Sequence, residues 1–302
     1  MASISRDSIT FRKQVLIDVG TYTGDLPSFG TDIEKKIKTF KKSFGVDAFA
    51  DLLRLSGAIP ESIQADSSEE KRYSKFTDVL LSVALNELGL ASLVLDERSD
   101  SADVEAVGNG INLVGDAKAF RLSRTAKNQK DFKVQAMHKW KNGKQHALLV
   151  CPIYQLPSSS SQIYHQAETD EVCIFTYSHL SILVRLASLS SQAEARKLLL
   201  TVLDSTFKLL TPSKSAVDYW KSVNTAFISH SALCSRLWSE EKQLINPTIE
   251  ECKKEALQFY QTERTRIMSL SHSDAIREIL HLTNIDTKIR CVKSVVNKLS
   301  ME

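Results

Sequence analysis

Residues 103–120 read DVEAVGNGINLVGDAKAF, and this stretch predicts the centre of the fold. Two runs with alternating apolar residues flank Asn109-Gly110. Asn-Gly between such runs is a strong β-hairpin signal, because a type I′ turn requires positive φ at both of its central residues. With these two residues as the turn, the register places Asp103 directly opposite Asp116.

The two faces of this hairpin differ in polarity. The apolar face is expected to point into the core and carries Val104, Ala106, Ile111, Leu113, Ala117 and Ala119. The other face is mostly polar and carries Asp103, Glu105, Asn112, Asp116 and Lys118, with Val107 and Val114 as apolar exceptions. A polar face is also expected where one side of an antiparallel pair meets solvent, so an exposed surface is the alternative interpretation.

The opposed aspartates argue against a merely solvated face. Cross-strand partners lie about 4.5–5.5 Å apart at Cβ, and like charges at that spacing destabilise a sheet. Lys118 points to the same face as Asp116 and would offset part of the repulsion. A divalent cation would offset it better, since carboxylate oxygens suit Mg²⁺. The sequence therefore predicts a metal site formed by Asp103 and Asp116.

Phosphodiester hydrolysis is the chemistry that needs this set. Asp103 and Asp116 would hold Mg²⁺ against a non-bridging phosphate oxygen and lower the pKa of a bound water. Lys118 would position the attacking water and stabilise the charge that develops on phosphorus.

The rest of the chain predicts an α/β protein with a mixed sheet, flanking helices and a large helical C-terminal part. A helix is expected at 32–55, and a second begins at a Ser67-x-x-Glu70 capping box and stops near Gly89. Further strands are expected at 91–95, 146–153 and 172–177, and further helices near 129–141 and 160–167. The helical part is expected near 178–186, 193–210, 217–239, 249–269, 272–282 and 286–299.

Length and composition bound the function classes. The chain has 302 residues, of which 42% are hydrophobic, enough for one large domain or two small ones. No run approaches the roughly 20 apolar residues that span a bilayer, and residues 1–30 lack a signal-peptide core. We therefore expect a cytoplasmic protein without membrane association. The five cysteines show no CxxC spacing, which predicts free, mostly buried thiols, and the histidines show no zinc-ligand spacing.

Positive charge is concentrated in one segment. Net charge is only +3, but residues 118–144 contain nine lysines or arginines and a single acid, Asp131. Such a block can be a solvated face, and the functional alternative is binding of a polyanion.

The pattern Asp103-x₁₂-Asp116-x-Lys118 resembles the PD-(D/E)xK nuclease signature. Ala102 stands where the signature has proline, and an aspartate replaces the commoner glutamate in the last triplet. A longer stretch, DAKAFRLSRTAKNQKDFKV at residues 116–134, is similar to the active-site region of HindIII-like Type II restriction endonucleases. Further similarity occurs at residues 59–61, 70–71, 74–75, 161–163, 179–180 and 182–183, and more weakly at 274–299.

This resemblance implies a restriction-endonuclease-like α/β fold. The regions that the resemblance covers divide the chain into three parts within one domain overall. Residues 1–30 form a variable arm, 31–190 the catalytic and DNA-reading core, and 191–302 a helical region packed on the core. The implied activity is Mg²⁺-dependent cleavage of AAGCTT after the first A, which leaves 5′-phosphates and four-base 5′ overhangs.

The resemblance also implies site residues. Asp103, Asp116 and Lys118 carry catalysis, and Asp131 is a further acid that supports a water or a second metal. A solvated acid in the first turn of a helix is the alternative for Asp131. Glu70 and Glu97 are implied as accessory acids, although helix capping sufficiently explains Glu70.

DNA binding is implied for the basic block, namely Arg121, Arg124, Lys127, Asn128, Lys130 and Lys133. Asn128 and Lys130 are candidates for base contacts in the major groove, whereas the arginines and Lys127 suit phosphates. A palindromic target implies a homodimer, and a restriction system implies a cognate DNA methyltransferase as a functional partner. Two alternatives remain: a nuclease of the same fold that recognises repair or recombination structures, and a DNA-binding module whose acids are inert.

Overall fold

A mixed five-stranded sheet forms the centre of the structure. The structure is a computed structural model and describes residues 3–95, 101–123, 132–158, 161–208, 216–282, 288–290 and 292. The strands are β1 (Ala91–Val94), β2 (Val104–Gly108), β3 (Ile111–Ala117), β4 (His146–Cys151) and β5 (Val172–Thr176). They lie side by side in sequence order; β1, β2 and β3 pair antiparallel, and β3, β4 and β5 pair parallel. The predicted mixed sheet is confirmed.

The β2–β3 hairpin has the predicted register. Val104 pairs with Gly115, and Gly108 pairs with Ile111 next to the turn. Asn109 and Gly110 both have positive φ, 52° and 82°, as the turn chemistry requires.

Five of the six residues of the predicted apolar face are buried, including Val104, Leu113 and Ala117, and Ala119 is half-buried. Its opposite face is solvated less than an exposed surface would be, because Val114 and Asp116 are also buried. The reason is the parallel pairing of β3 with β4, which needs a crossover and so brings other elements over the sheet.

Three helices precede the sheet: α1 (Arg6–Thr21), α2 (Leu26–Ser56) and α3 (Ser68–Glu87). Helix α2 contains the predicted helix 32–55, with a kink at Gly45, whose φ is 85°. Ser67 caps α3 by accepting a hydrogen bond from the backbone N–H of Glu70 at 3.1 Å. The Glu70 carboxylate accepts from the N–H of Asp66 at 2.6 Å, so the predicted cap exists in a modified form. Helix α3 packs against β1, β2 and β3.

Seven helices accompany and follow the parallel strands in the described part of the chain. They are α4 (Val134–Trp140), α5 (Ile163–Thr169), α6 (Tyr177–Leu189), α7 (Gln192–Lys208), α8 (Ala216–His230), α9 (Ala232–Met268) and α10 (His272–Leu282). Helices α4 and α5 lie in the β3–β4 and β4–β5 crossovers, which agrees with the sequence pattern.

The predicted boundaries of two C-terminal helices are wrong. The sequence predicts one helix at 217–239 and another at 249–269. In the structure the first helix is interrupted at Ser231, and the next helix, α9, continues through Pro247. Ser231 accepts from the N–H of Cys234 at 3.1 Å, which starts the new helix. Helix α9 has buried residues on both sides of the proline, including Glu241 and Cys252, and their packing stabilises the helix there. This packing outweighs the loss of one backbone donor.

A buried ion cluster joins α2 to α9. The guanidinium of Arg54 donates to both carboxylate oxygens of Glu241, at 2.8 and 2.6 Å, and to Asp51 at 2.5 Å. The other carboxylate oxygen of Asp51 accepts from the N–H of Ser5 at 2.8 Å. All three charged side chains are buried, so their mutual pairing is needed to compensate their lost hydration.

The chain divides into two compact units, Met1–Lys254 and Glu255–Glu302. The first contains the sheet, and the second contains the end of α9 and all of α10. Cys151, Cys173, Cys234 and Cys252 are buried thiols outside any disulfide among the described residues, as predicted, and Cys291 lies outside the described residues. None of the helices in the described segments combines the length and hydropathy needed to cross a bilayer.

Candidate active site

Three aspartates meet at one end of the β2–β3 pair. Asp116 is the sixth residue of β3, Asp103 directly precedes β2, and Asp78 comes from α3. Each offers a carboxylate oxygen, and these oxygens lie within 4.8 Å of one another. The register that pairs Val104 with Gly115 is what brings Asp103 and Asp116 together, so the predicted juxtaposition is present.

Lys118 completes the cluster. Its ammonium forms an ion pair with Asp116 Oδ2. Its backbone is fixed as well, because its N–H donates to Val150 O at 2.7 Å and its carbonyl accepts from Tyr177 Oη at 3.2 Å. The strand geometry and these two bonds hold the ammonium beside the carboxylates.

The electrostatics of the cluster are those of crowded, buried acids. Burial and then the charge of Asp116 raise the pKa of Asp103 to about 6. Burial, with the charges of Asp103 and Asp116, raises the pKa of Asp78 well above its ordinary value. For Lys118, burial lowers the pKa, but the carboxylates outweigh that effect and the net pKa is raised. The lysine is therefore cationic, and the acids need further positive charge to ionise together.

A pocket of about 590 Å³ opens onto the cluster. The three carboxylates share its lining with four lysines, namely Lys71, Lys75, Lys118 and Lys133. Lys75 is largely buried and donates to Leu95 O at 2.9 Å. A pocket that combines clustered carboxylates with several ammonium groups suits a phosphate and a divalent cation together.

Asp78 is the member of the cluster that sequence reasoning missed. The sequence predicts α3 from its capping box and its stop near Gly89, and neither signal points to Asp78. The missed signal is a second set, Lys75, Asp78 and Ser82, which recurs at i, i+3 and i+7 and so shares one helix face. All three are buried, and the first two line the pocket.

The structure places only some of the predicted site residues. Asp131, Glu97, Arg124, Lys127, Asn128 and Lys130 lie outside the described residues. Lys133 lines the pocket, and its ammonium lies 5.6 Å from the centre of the Trp140 ring.

Arg121 lies near the site but is already engaged. Its Nη1 donates to Glu70 Oε1 at 2.7 Å, and its Nε and Nη2 donate to Ile63 O at 3.0 and 2.7 Å. Nearby, Glu61 accepts from the N–H and hydroxyl of Ser123 at 2.8 and 2.6 Å. These contacts fasten the chain after β3 to the segment that leads into α3. Glu70 thus has two partners besides any catalytic role.

Comparison with known proteins identifies the class. A family model described as HindIII restriction endonuclease matches residues 13–296 of the chain. The Type II restriction enzyme HindIII of Haemophilus influenzae is 32% identical over 248 residues, which cover 82% of this chain and 83% of that enzyme. Together with the fold, these matches define a Type II site-specific deoxyribonuclease. The chain belongs to the HindIII restriction endonuclease family, as the sequence resemblance indicated.

This assignment decides between the functions that the sequence left open. A restriction endonuclease acts on DNA and is an enzyme, so the interpretation of the chain as a binding module with inert acids is set aside. The family match likewise favours a restriction enzyme over a nuclease that recognises repair or recombination structures.

Proposed function

We propose that this restriction endonuclease requires Mg²⁺ and cleaves duplex DNA at AAGCTT after the first A. The products are 5′-phosphates and four-base 5′ overhangs. The observation that carries the proposal is the cluster of Asp78, Asp103 and Asp116 beside Lys118, in a chain that is 32% identical to a HindIII enzyme over 82% of its length.

The chemistry of the donor set fits a divalent cation. Three carboxylates with oxygens within 4.8 Å of one another repel when ionised, and one lysine pairs directly with one of them. Mg²⁺ prefers hard oxygen ligands and commonly takes one or two carboxylates together with waters and substrate phosphates. Asp103 and Asp116 would be its ligands, and Asp78 would act as a third acid on the α3 side.

The remaining roles belong to the chain's own groups. A bound Mg²⁺ supplies Lewis acidity, which polarises a phosphate oxygen and acidifies water. Asp103 and Asp116 fix where that charge sits. Lys118, held by Asp116 and by its own backbone bonds, donates to the attacking water and stabilises the charge that develops on phosphorus. The raised pKa of Lys118 keeps it a cation and hydrogen-bond donor rather than a base.

DNA contacts are proposed for the basic segment after β3. Lys133 lies at the pocket and suits a phosphate. Arg124 and Lys127 are proposed for phosphates, and Asn128 and Lys130 for base edges. Arg121 enters the proposal as a positioning residue, because its guanidinium binds Glu70 and Ile63 O. Asp131 and Glu97 are proposed as accessory acids.

A palindromic target has two equivalent scissile phosphates, and a homodimer presents one active site to each. We therefore propose a two-fold dimer on DNA. A cognate methyltransferase that modifies the same sequence is the proposed functional partner.

A plasmid digest tests the proposal. A plasmid with mapped AAGCTT sites is incubated with the enzyme and Mg²⁺, and the fragment ends are sequenced. Discrete fragments with AGCT overhangs are expected. Discrete ends at another sequence would reject the proposed specificity, and a ladder of ends would reject site-specific cleavage. Full activity in EDTA would reject the metal requirement.

A further inference from the structure

Lys75 is a buried lysine in the wall of the candidate active site. Its side chain is 8% exposed, and it lines the same pocket as Asp78, Asp103 and Asp116. Lysine is seldom buried to this degree unless an acid pairs with it, because the ammonium loses most of its hydration. In the described part of the chain, the Lys75 ammonium donates to the neutral carbonyl of Leu95 at 2.9 Å and forms no ion pair. Its positive charge is therefore not directly compensated.

The fold makes room for the stem of this lysine. Gly30 lies inside α2, and a Cβ atom at that position would come 3.1 Å from Lys75 Cε and 3.6 Å from Lys75 Cγ. Glycine destabilises a helix interior relative to alanine, and the close approach of the lysine stem explains why it stands here. The stem runs between α2 and α3 and reaches the residue that follows β1, where Leu95 O accepts from the ammonium.

Compensation of Asp78 does not account for Lys75. Asp78 lies one turn further along α3, but the contacts of the Lys75 ammonium in the described structure do not include its carboxylate. Burial, followed by the charges of the two neighbouring aspartates, raises the pKa of Asp78, and Lys75 opposes this rise without reversing it. An ammonium has three N–H donors, and Leu95 O uses one of them. The ammonium therefore acts on the cluster electrostatically and still has donors for another anion.

The charge balance of the site leaves a place for this lysine. Ionisation of the three clustered aspartates gives three negative charges. One Mg²⁺ and the cation of Lys118 together supply three positive charges, so the site would be neutral before DNA binds. A phosphodiester brings one further negative charge into a largely buried pocket, where an unpaired charge is unfavourable. The ammonium of Lys75 supplies the matching positive charge.

We propose that Lys75 binds the scissile phosphate from the α3 side, while Lys118 binds it from the end of β3. The inference rests on the proposed function, because it takes the aspartate cluster as the place of cleavage. Lys75 is then a second catalytic cation, which donates to a non-bridging phosphate oxygen and stabilises the charge that develops on phosphorus. The bond to Leu95 O holds the ammonium at the pocket before DNA binds, so little reorganisation is needed.

Two substitutions separate a phosphate contact from a purely structural bond. Lys75→Gln removes the charge but keeps an N–H donor for Leu95 O, and Lys75→Arg keeps the charge. Lys41→Gln is the matched control, because Lys41 also joins α2 to α3, through an ion pair with Glu87, and does not line the pocket. Thermal unfolding in EDTA first shows whether each variant is folded.

Cleavage of an AAGCTT duplex in Mg²⁺ and binding of the same duplex in EDTA are the two readouts. Lys75→Gln should lose about 10²-fold or more in single-turnover rate. In EDTA its slope of log K against log salt should fall by about 1, because one phosphate contact is lost. Lys75→Arg should retain the slope, and Lys41→Gln should retain both rate and slope. A Lys75→Gln enzyme that keeps the wild-type slope, or that cleaves within about threefold of the wild-type rate, would overturn the inference.

A neutral phosphate analogue gives a test on the unaltered protein, which does not depend on how a variant folds. In EDTA the wild type should bind a duplex with a methylphosphonate at the scissile position more weakly than the natural duplex, because both ammonium groups lose their anion. The loss should be smaller for Lys75→Gln. Tighter binding of the methylphosphonate duplex by the wild type would mean that the carboxylates dominate this position, and it would overturn the inference.

The plasmid digest separates this inference from the proposed function. A wild type that cuts a different sequence rejects only the proposed specificity, and the Lys75 variants are then compared on that sequence. A wild type that cuts AAGCTT, together with an equally active Lys75→Gln enzyme, rejects only this inference.

Discussion

Asp78 on α3 and Asp116 on β3 each place a carboxylate oxygen within 4.8 Å of the other, although β1 and β2 separate them in the chain. Both side chains are almost fully buried. Burying like charges so close is unfavourable for folding unless a cation or a proton compensates them. The metal-free protein is therefore expected to be less stable than its packing would allow. This loss of stability comes from the same clustered carboxylates that are proposed to bind the metal.

Asp78→Asn should stabilise the metal-free protein at pH 8 by about 1–3 kcal/mol. The folded-state pKa of Asp78 is raised, so its ionisation lowers stability as pH rises above the unfolded value. Asparagine removes that charge. Thermal unfolding in EDTA measures the effect, with the exposed Asp66→Asn as a control. The same variant should gain less stability from Mg²⁺ than the wild type. A destabilised Asp78→Asn with unchanged Mg²⁺ response would show that Asp78 is only structural.

Divalent-metal affinity should rise as pH increases from 5 to 7. The pKa of Asp103 is about 6, so below that value the carboxyl keeps its proton and cannot act as a ligand. We expect about a fivefold loss of affinity between pH 6 and pH 5, because the ionised fraction of Asp103 falls from about one half to about one eleventh. Titration calorimetry at each pH measures it. In EDTA, where no metal binds, pH has the opposite effect. The contribution of Asp103 to the free energy of unfolding falls as pH rises from the unfolded-state pKa of about 4 through 6. A pH-independent affinity would exclude Asp103 as a ligand.

Arg121→Ala should lower thermal stability without changing the salt dependence of DNA binding. Its guanidinium is committed to Glu70 and Ile63 O, so few donors remain for a phosphate. Lys133→Ala is the matched comparison, since removal of one phosphate contact reduces the slope of log K against log salt by about 1. Binding isotherms at several salt concentrations measure both slopes. A reduced slope for Arg121→Ala would assign it the phosphate contact that the sequence predicted.

Arg54→Ala should destabilise the protein by about 3–5 kcal/mol, because Asp51 and Glu241 would remain buried without their cation. Arg236→Ala is the control on α9, the helix that carries Glu241, since among the described residues Arg236 forms an exposed pair with Glu240. Urea unfolding compares the two. Equal, small losses would mean that water reaches the Arg54 cluster and compensates it.

The sequence was sufficient to predict the features that local signals specify. Asn109-Gly110 specifies a turn, and the turn together with period-two alternation fixes the register that joins Asp103 to Asp116. Lys118 then follows on the same face. The predicted site therefore needed only one short stretch of chain.

The sequence was insufficient to predict the features that depend on packing between distant segments of the chain. A polar helix face such as that of Lys75, Asp78 and Ser82 has the same pattern whether solvent or a buried site covers it. Helix α9 continues through Pro247 because its buried stripe stabilises both sides, which no local rule anticipates. Arg121 belongs to a basic block by composition, yet its partners come from residues more than 50 positions away.

Single-turnover cleavage of an AAGCTT duplex by Asp116→Ala in Mg²⁺ tests whether the clustered carboxylates hold the catalytic cation. Duplex affinity, measured in Ca²⁺, serves as the folding and binding control. Asp116→Ala is expected to lose about 10³-fold or more in cleavage rate with nearly unchanged affinity. Cleavage within tenfold of the wild-type rate would contradict it.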